Sequence, residues 1–249
     1  MLEISNITKI FNKEEGIEYQ KKALDCVVED GDFVSVIGGN GSGKSTLMNI
    51  ISGVYKPDSG CIKIDGEDIT MLSESKRASY LGRVFQDPLM GTCANMSIIE
   101  NMELASRRGE KQTFKWGFKK TNEILFKEEL KRLNLNLENR LEQKVGLLSG
   151  GQRQAVTLLM ATLKKPKLLL LDEHTAALDP KTAKKVLELT EKIVTENKIT
   201  TFMITHNMKD ALRYGNRLVM LNGGKIVLDA KGEEKAKLTI DDLLEKFEA

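Results

Sequence analysis

Cysteine is scarce in this chain of 249 residues. Cys26, Cys61 and Cys93 are widely spaced and form no C-x-x-C pair, so neither a disulfide framework nor a cysteine-based zinc site organises the fold. A reduced, cytoplasmic setting is the expectation. Long apolar runs are also missing: none approaches the roughly 20 residues that cross a bilayer as a helix. The start, Met1-Leu2-Glu3, lacks the basic residues and apolar stretch of a signal peptide. Any work at a membrane therefore calls for a partner that crosses it. The net charge is only +2, which gives no global argument for nucleic acid. Internal repeats and low-complexity segments are absent as well. The balance of 41% apolar and 30% charged residues is that of an ordinary globular chain, long enough for one large α/β domain or a core with a subdomain.

What is present is concentrated first in Gly38-Gly39-Asn40-Gly41-Ser42-Gly43-Lys44-Ser45, which fits the phosphate-binding pattern G-x-x-x-x-G-K-[ST]. The β-branched run Phe33 to Ile37 precedes it, and a helix-compatible run from Thr46 to Ser52, ended by Gly53, follows it. Strand, glycine-rich loop and helix are the context the motif needs. Glycines let the backbone curl so that its N–H groups face phosphate oxygens, and the helix N-terminus adds partial positive charge at the same point. Lys44 supplies a cation for the β- and γ-phosphates, and Ser45 a hydroxyl for Mg²⁺. Thr46 belongs with this nucleotide-binding set. A glycine-rich turn that binds nothing is the bland alternative, and the closing Lys-Ser pair speaks against it.

Around this loop the chain reads as an alternation of elements. Leu2 to Phe11 is a first strand, Asn12 to Lys22 a polar loop or hairpin tip, and Ala23 to Val28 a second strand. Cys61 to Ile64 adds a short strand between turn signals, so the opening is an antiparallel β region. Leu81 to Phe85 is a strand ending at Gln86. Residues 87–147 read mostly as helix and connection. Leu168-Leu169-Leu170-Leu171 is a strand buried on both faces, as parallel strands are. Asn222-Gly223-Gly224 between two apolar runs is a hairpin signal.

Two further motifs carry chemistry. The leucine strand runs into Asp172-Glu173, which completes a P-loop nucleotide site: Asp172 holds Mg²⁺ and Glu173 polarises an attacking water. Read alone, the pair is also compatible with a helix cap. Leu148-Ser149-Gly150-Gly151-Gln152 is a second Ser/Gly-rich loop that opens a helix, hence a second phosphate-binding end. One triphosphate has no use for two such ends on one chain. A head-to-tail dimer does, each loop capping the nucleotide of the other chain.

With these residues in order, the chain resembles the ATP-binding subunit of an ABC transporter, whose signature is LSGGQ, and the resemblance covers essentially its whole length. It implies an α/β fold: a P-loop NTPase core, 1–86 and 165–249, with an antiparallel β subdomain and an inserted α-helical subdomain, 87–164. It further implies that Gln86 senses Mg²⁺ and the attacking water, that Asp179 in Ala177-Leu178-Asp179 touches the partner subunit, and that His206 stands near the γ-phosphate. Phe11 holds the place of the aromatic residue that stacks on adenine, with Tyr19 as a rival. Mg²⁺ would be held by Ser45, Gln86 and Asp172. The partners implied are a second copy of the chain, transmembrane permease subunits and an external solute-binding protein, with the chain peripheral at the cytoplasmic face of the membrane.

Two departures from the family pattern stand out. Where most relatives have Asp-Glu-Pro-Thr-Ser, this chain has Asp172-Glu173-His174-Thr175-Ala176. That form resembles a bacterial subgroup paired with solute-binding proteins and aromatic amino acid import, and His174 reads as a turn filler. The insert also gathers Arg107, Arg108, Lys111, Lys115, Lys119 and Lys120 around Phe114, Trp116 and Phe118. Such a mixture fits nucleic acid, an anionic membrane surface or a solvated loop. The family's helical subdomain faces the membrane partner, which favours the membrane side. The expected function is ATP hydrolysis that drives solute import. An exporter or extraction ATPase, or a soluble ABC ATPase, is the alternative.

Overall fold

The computed structural model describes residues 1–11, 19–110 and 120–248. An antiparallel hairpin opens the chain, β1 (Leu2–Phe11) with β2 (Tyr19–Val28), followed by β3 (Phe33–Gly38) and helix α1 (Lys44–Ser52). Then come β4 (Ser59–Ile64), β5 (Glu67–Asp68), the short helix α2 (Glu74–Arg77) and β6 (Leu81–Val84). Helices α3 (Ile98–Ser106), α4 (Lys120–Lys131) and α5 (Gly150–Leu163) precede β7 (Leu168–Asp172). The chain continues through α6 (Pro180–Asn197), β8 (Thr201–Ile204), α7 (Met208–Arg213), β9 (Arg217–Asn222) and β10 (Lys225–Lys231), and ends in α8 (Glu233–Lys237) and α9 (Ile240–Glu248).

Two sheets result. One is antiparallel, in the order β2-β1-β4-β5; the other runs β10-β9-β3-β8-β7-β6, parallel from β9 to β6. Side chains alternate across a strand, so the leucine run serves two cores at once. Leu168 and Leu170 face the layer that holds α1 and the antiparallel sheet. Leu169 and Leu171 face the layer built by α3, α4, α5 and α6. All four leucines are buried, which is why an uninterrupted apolar strand is stable here.

The polar stretch before Ala23 differs from the sequence expectation. β2 begins at Tyr19, so Tyr19 to Lys22 belong to the strand rather than to a loop. β2 is the edge of its sheet. Pairing at an edge is made by backbone groups, which a polar composition does not prevent. At the other end, Asn222 pairs with Lys225 across Gly223-Gly224, both glycines with positive φ (55° and 80°), as a type I′ turn requires. The described part of the insert is helical apart from its connections, and includes a 3₁₀ turn at Pro88–Gly91 directly after Gln86.

Candidate nucleotide site

The parallel register brings the carboxyl ends of β3, β8, β7 and β6 to one edge, which is where open α/β sheets bind ligands. β3 ends at Gly38 and delivers the phosphate loop. A Cβ on Gly38 would lie 2.3 Å from the Leu221 carbonyl oxygen, so only glycine lets the loop leave the sheet this close to β9. Gly43, at φ 108°, is the residue that enters α1. Lys44 is buried, and its ammonium donates to the carbonyl oxygens of Gly38 at 2.7 Å and Gly39 at 3.0 Å, so it lies across the mouth of its own loop. Ser45 is exposed on the first turn of α1, and Thr46 is half-buried beside it.

β7 carries Asp172 to the same edge. Glu173 follows in the left-handed backbone region, φ 46°, an uncommon conformation for a residue with a side chain. Its N–H donates to the Ile204 carbonyl at 3.1 Å, which ties the turn to β8. β8 continues into Thr205, held by the Val36 carbonyl of β3 at 3.2 Å, and so presents His206. His206 Nε2 stands 2.6 Å from Glu173 Oε1. Gln86 follows β6, exposed at the same edge. Ser45 and Asp172 supply a hydroxyl and a carboxylate, hard oxygen donors that fit Mg²⁺ completed by phosphate oxygens and water.

His174 lies in the turn that follows Glu173, with its side chain turned into the interior. It is 2% exposed, and its Nε2 lies 3.1 Å from Thr190 Oγ1, whose hydroxyl donates to the Val186 carbonyl of α6. Burial pushes its pKa down to about 4, so the ring is neutral at physiological pH. It joins the segment after Glu173 to α6 and takes no position from which it could ligate a cation at Asp172.

Ser149 caps α5 by accepting from the Gln152 N–H at 3.3 Å, while Gln152 Oε1 accepts from the Ser149 N–H at 3.2 Å. Leu148 is buried beneath this cap. A Cβ built on Gly150 would meet Leu178 and one on Gly151 would meet Thr182, so the signature packs against the start of α6. Asp179 caps α6 by accepting from the Thr182 N–H at 3.1 Å, and hydrogen bonding to the Thr182 side chain, then to its backbone, holds the Asp179 carboxyl below the usual range. The signature is thus seated on the segment that includes Asp179, not on residues of the phosphate loop.

Phe11 is half-buried, and its ring meets Tyr55 edge to face at 5.7 Å. Tyr19 pairs with Phe11 across the hairpin, and its side chain lies outside the described residues. Of the basic cluster, Arg107 pairs with Glu103 at 3.0 Å, and Arg108 donates to the carbonyls of Ala161 and Lys164 at the end of α5. These two guanidiniums are spent inside the chain. Lys111, Phe114, Lys115, Trp116, Phe118 and Lys119 lie outside the described residues, as does the side chain of Lys120. Among the described residues no helix is long and apolar enough to cross a membrane.

Sequence reasoning overlooked Arg83. It stands one residue before the end of β6, reaching Asp172 Oδ2 at 3.3 Å. An arginine in an otherwise apolar strand beside the acid-bearing strand was the available signal.

Comparison with known proteins gives the family. A family model for the ABC transporter matches residues 22–176. A tyrosine transport ATP-binding protein of Clostridioides difficile is 51% identical over 252 residues, covering 100% of this chain and 99% of the relative. A methionine import ATP-binding protein of Enterococcus faecalis is 32% identical over 250 residues, covering 99% and 70%. Among solved structures, the ADP conformation of the cassette MJ1267 superposes with a TM-score of 0.82 at 27% identity, over 100% of this chain and 98% of the other. The dimeric post-hydrolysis cassette MJ0796 of Methanocaldococcus jannaschii, bound to ADP and Pi, does so at 0.76 and 31%, covering 93% and 98%. The chain therefore belongs to the ABC transporter family, and its activity is ATP hydrolysis.

Proposed function

We propose that the chain works as a Mg²⁺-dependent homodimer that energises import of an aromatic amino acid, tyrosine first, through a separate membrane permease. The observation that carries the hydrolytic part is the Glu173–His206 pair, held between the ends of β7 and β8 beside the phosphate loop. The tyrosine assignment is supported by the relative at 51% identity, whose own transport function is tyrosine. Export or extraction is the alternative direction.

In this reading the phosphate loop, Gly38 to Thr46, wraps the β- and γ-phosphates, and Lys44 turns from its own carbonyls to the phosphate oxygens. Phe11 packs the adenine. Ser45 and Asp172, with Gln86 alongside, hold Mg²⁺, which neutralises developing phosphate charge when bound. Glu173 accepts the proton of the attacking water. His206 stands against Oε1 of that carboxylate and leaves its other oxygen for the water. Ser149 and its helix N-terminus, with Leu148, Gly150, Gly151 and Gln152, close over the nucleotide of the partner copy, while Asp179 stands at the dimer contact.

The segment 87–164 is the proposed dock for the permease, which makes the association with the membrane peripheral. Exposed Met90 and Leu104 border a cavity of about 440 Å³ there, apolar surface of the kind that marks a binding face. Gln86 stands at the base of this dock, so permease movement and the Mg²⁺ site share one turn of chain. An external solute-binding protein would deliver the amino acid.

The test is reconstitution with its permease in liposomes, ATP on the same side as this chain. Inward, ATP-dependent accumulation of labelled tyrosine, raised by a binding protein, is the expected result. Outward flux of lipid or drug, with no inward flux of any amino acid, overturns the import reading and leaves the ATPase intact.

A further inference from the structure

Arg83 occupies an unusual position. Its strand β6 is the edge of the parallel sheet, and its side chain is only 15% exposed. Nη2 lies 2.9 Å from Asn49 Oδ1 and 3.3 Å from Asp172 Oδ2, and Nη1 donates to Ser52 Oγ at 3.1 Å. The guanidinium plane packs on the Phe85 ring at 4.6 Å, directly before Gln86. Nε is buried with no hydrogen-bond partner. One cation thus joins helix α1, which begins in the phosphate loop, to the carboxylate at the end of β7. Its bond to Asp172 is long and single, so the second carboxylate oxygen remains outside the ion pair.

From this geometry we propose that Arg83 is a positioning residue that acts as a tethered counter-cation of Asp172, with which Mg²⁺ competes for that carboxylate. The inference rests on the assignment of Asp172 and Ser45 to Mg²⁺. A guanidinium 3.3 Å from a carboxylate oxygen offsets part of its negative charge, so the carboxylate attracts a further cation less strongly. Phe85 covers the guanidinium and keeps it from full hydration when the metal arrives, while the unpartnered Nε leaves it free to shift within the site. It has instead to share Asp172 or slide toward Asn49 and Ser52. The same side chain lines the cavity bordered by Met90, Cys93, Asn101 and Leu104. A group that fills that cavity and draws Arg83 outward would therefore strengthen Mg²⁺ binding. This gives the dock a second line to the metal site besides Gln86.

The readout is Mg²⁺ coupling: the ratio of dissociation constants for a fluorescent ATP analogue in EDTA and in Mg²⁺. A ratio cancels any effect of a variant on nucleotide binding alone. Arg83→Met and Arg83→Gln remove the charge, whereas Arg83→Lys keeps it. We expect the ratio to rise roughly tenfold in the Met and Gln variants, within the usual range of coupling between two sites, and to stay near wild type in the Lys variant. In an Asp172→Asn background the Met substitution should change the ratio by less than about twofold, because the coupled partner is gone. The Gln variant keeps a polar head for Asn49 and Ser52 and serves if the Met variant fails to fold. A ratio unchanged or lowered in the charge-removing variants overturns the proposal. A wild-type chain with no Mg²⁺ coupling at all overturns instead the assignment of the metal residues.

Discussion

His206 Nε2 and Glu173 Oε1 meet at 2.6 Å across the gap between β8 and β7, although the two residues are far apart in the chain. The contact is built by backbone bonds, Glu173 to Ile204 and Thr205 to Val36, so it is a property of the sheet rather than of loop chance. In the proposed mechanism this carboxylate has one oxygen against histidine and keeps the other for the attacking water.

The first prediction follows from that division of labour. Glu173→Gln keeps size and hydrogen bonding but loses the basic oxygen. It should bind ATP normally, accumulate as an ATP-bound dimer, and hydrolyse about 10²–10⁴-fold more slowly. Single-turnover phosphate release measures the rate, and size-exclusion chromatography with ATP measures the dimer. Phosphate release near the wild-type rate would remove Glu173 from the reaction.

A second prediction concerns Arg77, fully buried at 0% exposure. Its guanidinium donates to the carbonyls of Ile50 at 2.6 Å and Ile51 at 2.7 Å, at the end of α1, and to those of Thr70 at 2.6 Å and Leu72 at 3.1 Å. It closes the helix that begins in the phosphate loop. Arg77→Met leaves those oxygens without donors, and with hydrogen bonds to charged groups worth about 1.5–3 kcal/mol each, a loss of about 3–5 kcal/mol is expected. Urea unfolding reads it directly. A loss below about 1 kcal/mol would show that water or other donors replace the cap.

A third prediction is a pH dependence centred on Lys235. Its ammonium is buried and donates to the carbonyls of Tyr214 and Gly215, just past α7. Burial lowers its pKa from 10.5 to about 8. Below pH 8 both folded and unfolded chains hold the proton, and the burial cost is fully present. Between about 8 and 10.5 the unfolded chain holds more protons, so this residue's contribution to stability rises with pH across that window. Comparison with Lys235→Met isolates it. The stability difference between the two should move in favour of wild type by on the order of 2 kcal/mol from pH 7.5 to 10. A flat difference would mean that the ammonium is better solvated than its surroundings indicate.

These residues also mark what could be read in advance. The phosphate loop, the leucine strand and the Gly223-Gly224 turn were legible because each depends on local chemistry: backbone curvature, two-faced burial and positive φ. Arg77 was not, since Glu74-Ser75-Lys76-Arg77 reads as a solvated charge run. The acceptors that bury it come from α1 and the stretch after β5. Arg83 was hidden for the same reason, its partners lying on α1 and β7. His174 read as turn filler because nothing nearby in sequence shows Thr190 of α6 reaching it. The strand start at Tyr19 was missed because an edge strand pairs through its backbone. Charge and polarity in a sequence do not reveal a non-local acceptor, whereas glycine spacing and apolar runs describe themselves.

The last prediction tests the proposed dimer geometry through complementation. Within one chain the signature is seated against Leu178 and Thr182, and Ser149 and Gln152 satisfy each other in a closed cap. In the proposed dimer the N-terminal end of α5 serves the other copy's nucleotide. Ser149→Arg puts bulk and charge into that cap, and Lys44→Ala strips the phosphate loop, so each homodimer should be inactive. A mixed dimer differs according to where the sites are built. If each site takes its loop from one copy and its signature from the other, one site collects both defects and the second is intact. If each site lies within one chain, both sites carry a defect. ATPase activity of purified mixed dimers, isolated with two different affinity tags, should therefore recover to a fraction of the wild-type rate when one intact site suffices. A bifunctional thiol crosslinker long enough to span the bound nucleotide, joining cysteines placed at 149 of one copy and 45 of the other, with ATP present and Glu173→Gln to hold the closed state, measures the same geometry without activity. Failure of that crosslink in a dimer shown to be closed would place the signature away from the partner's phosphate loop and overturn the composite site.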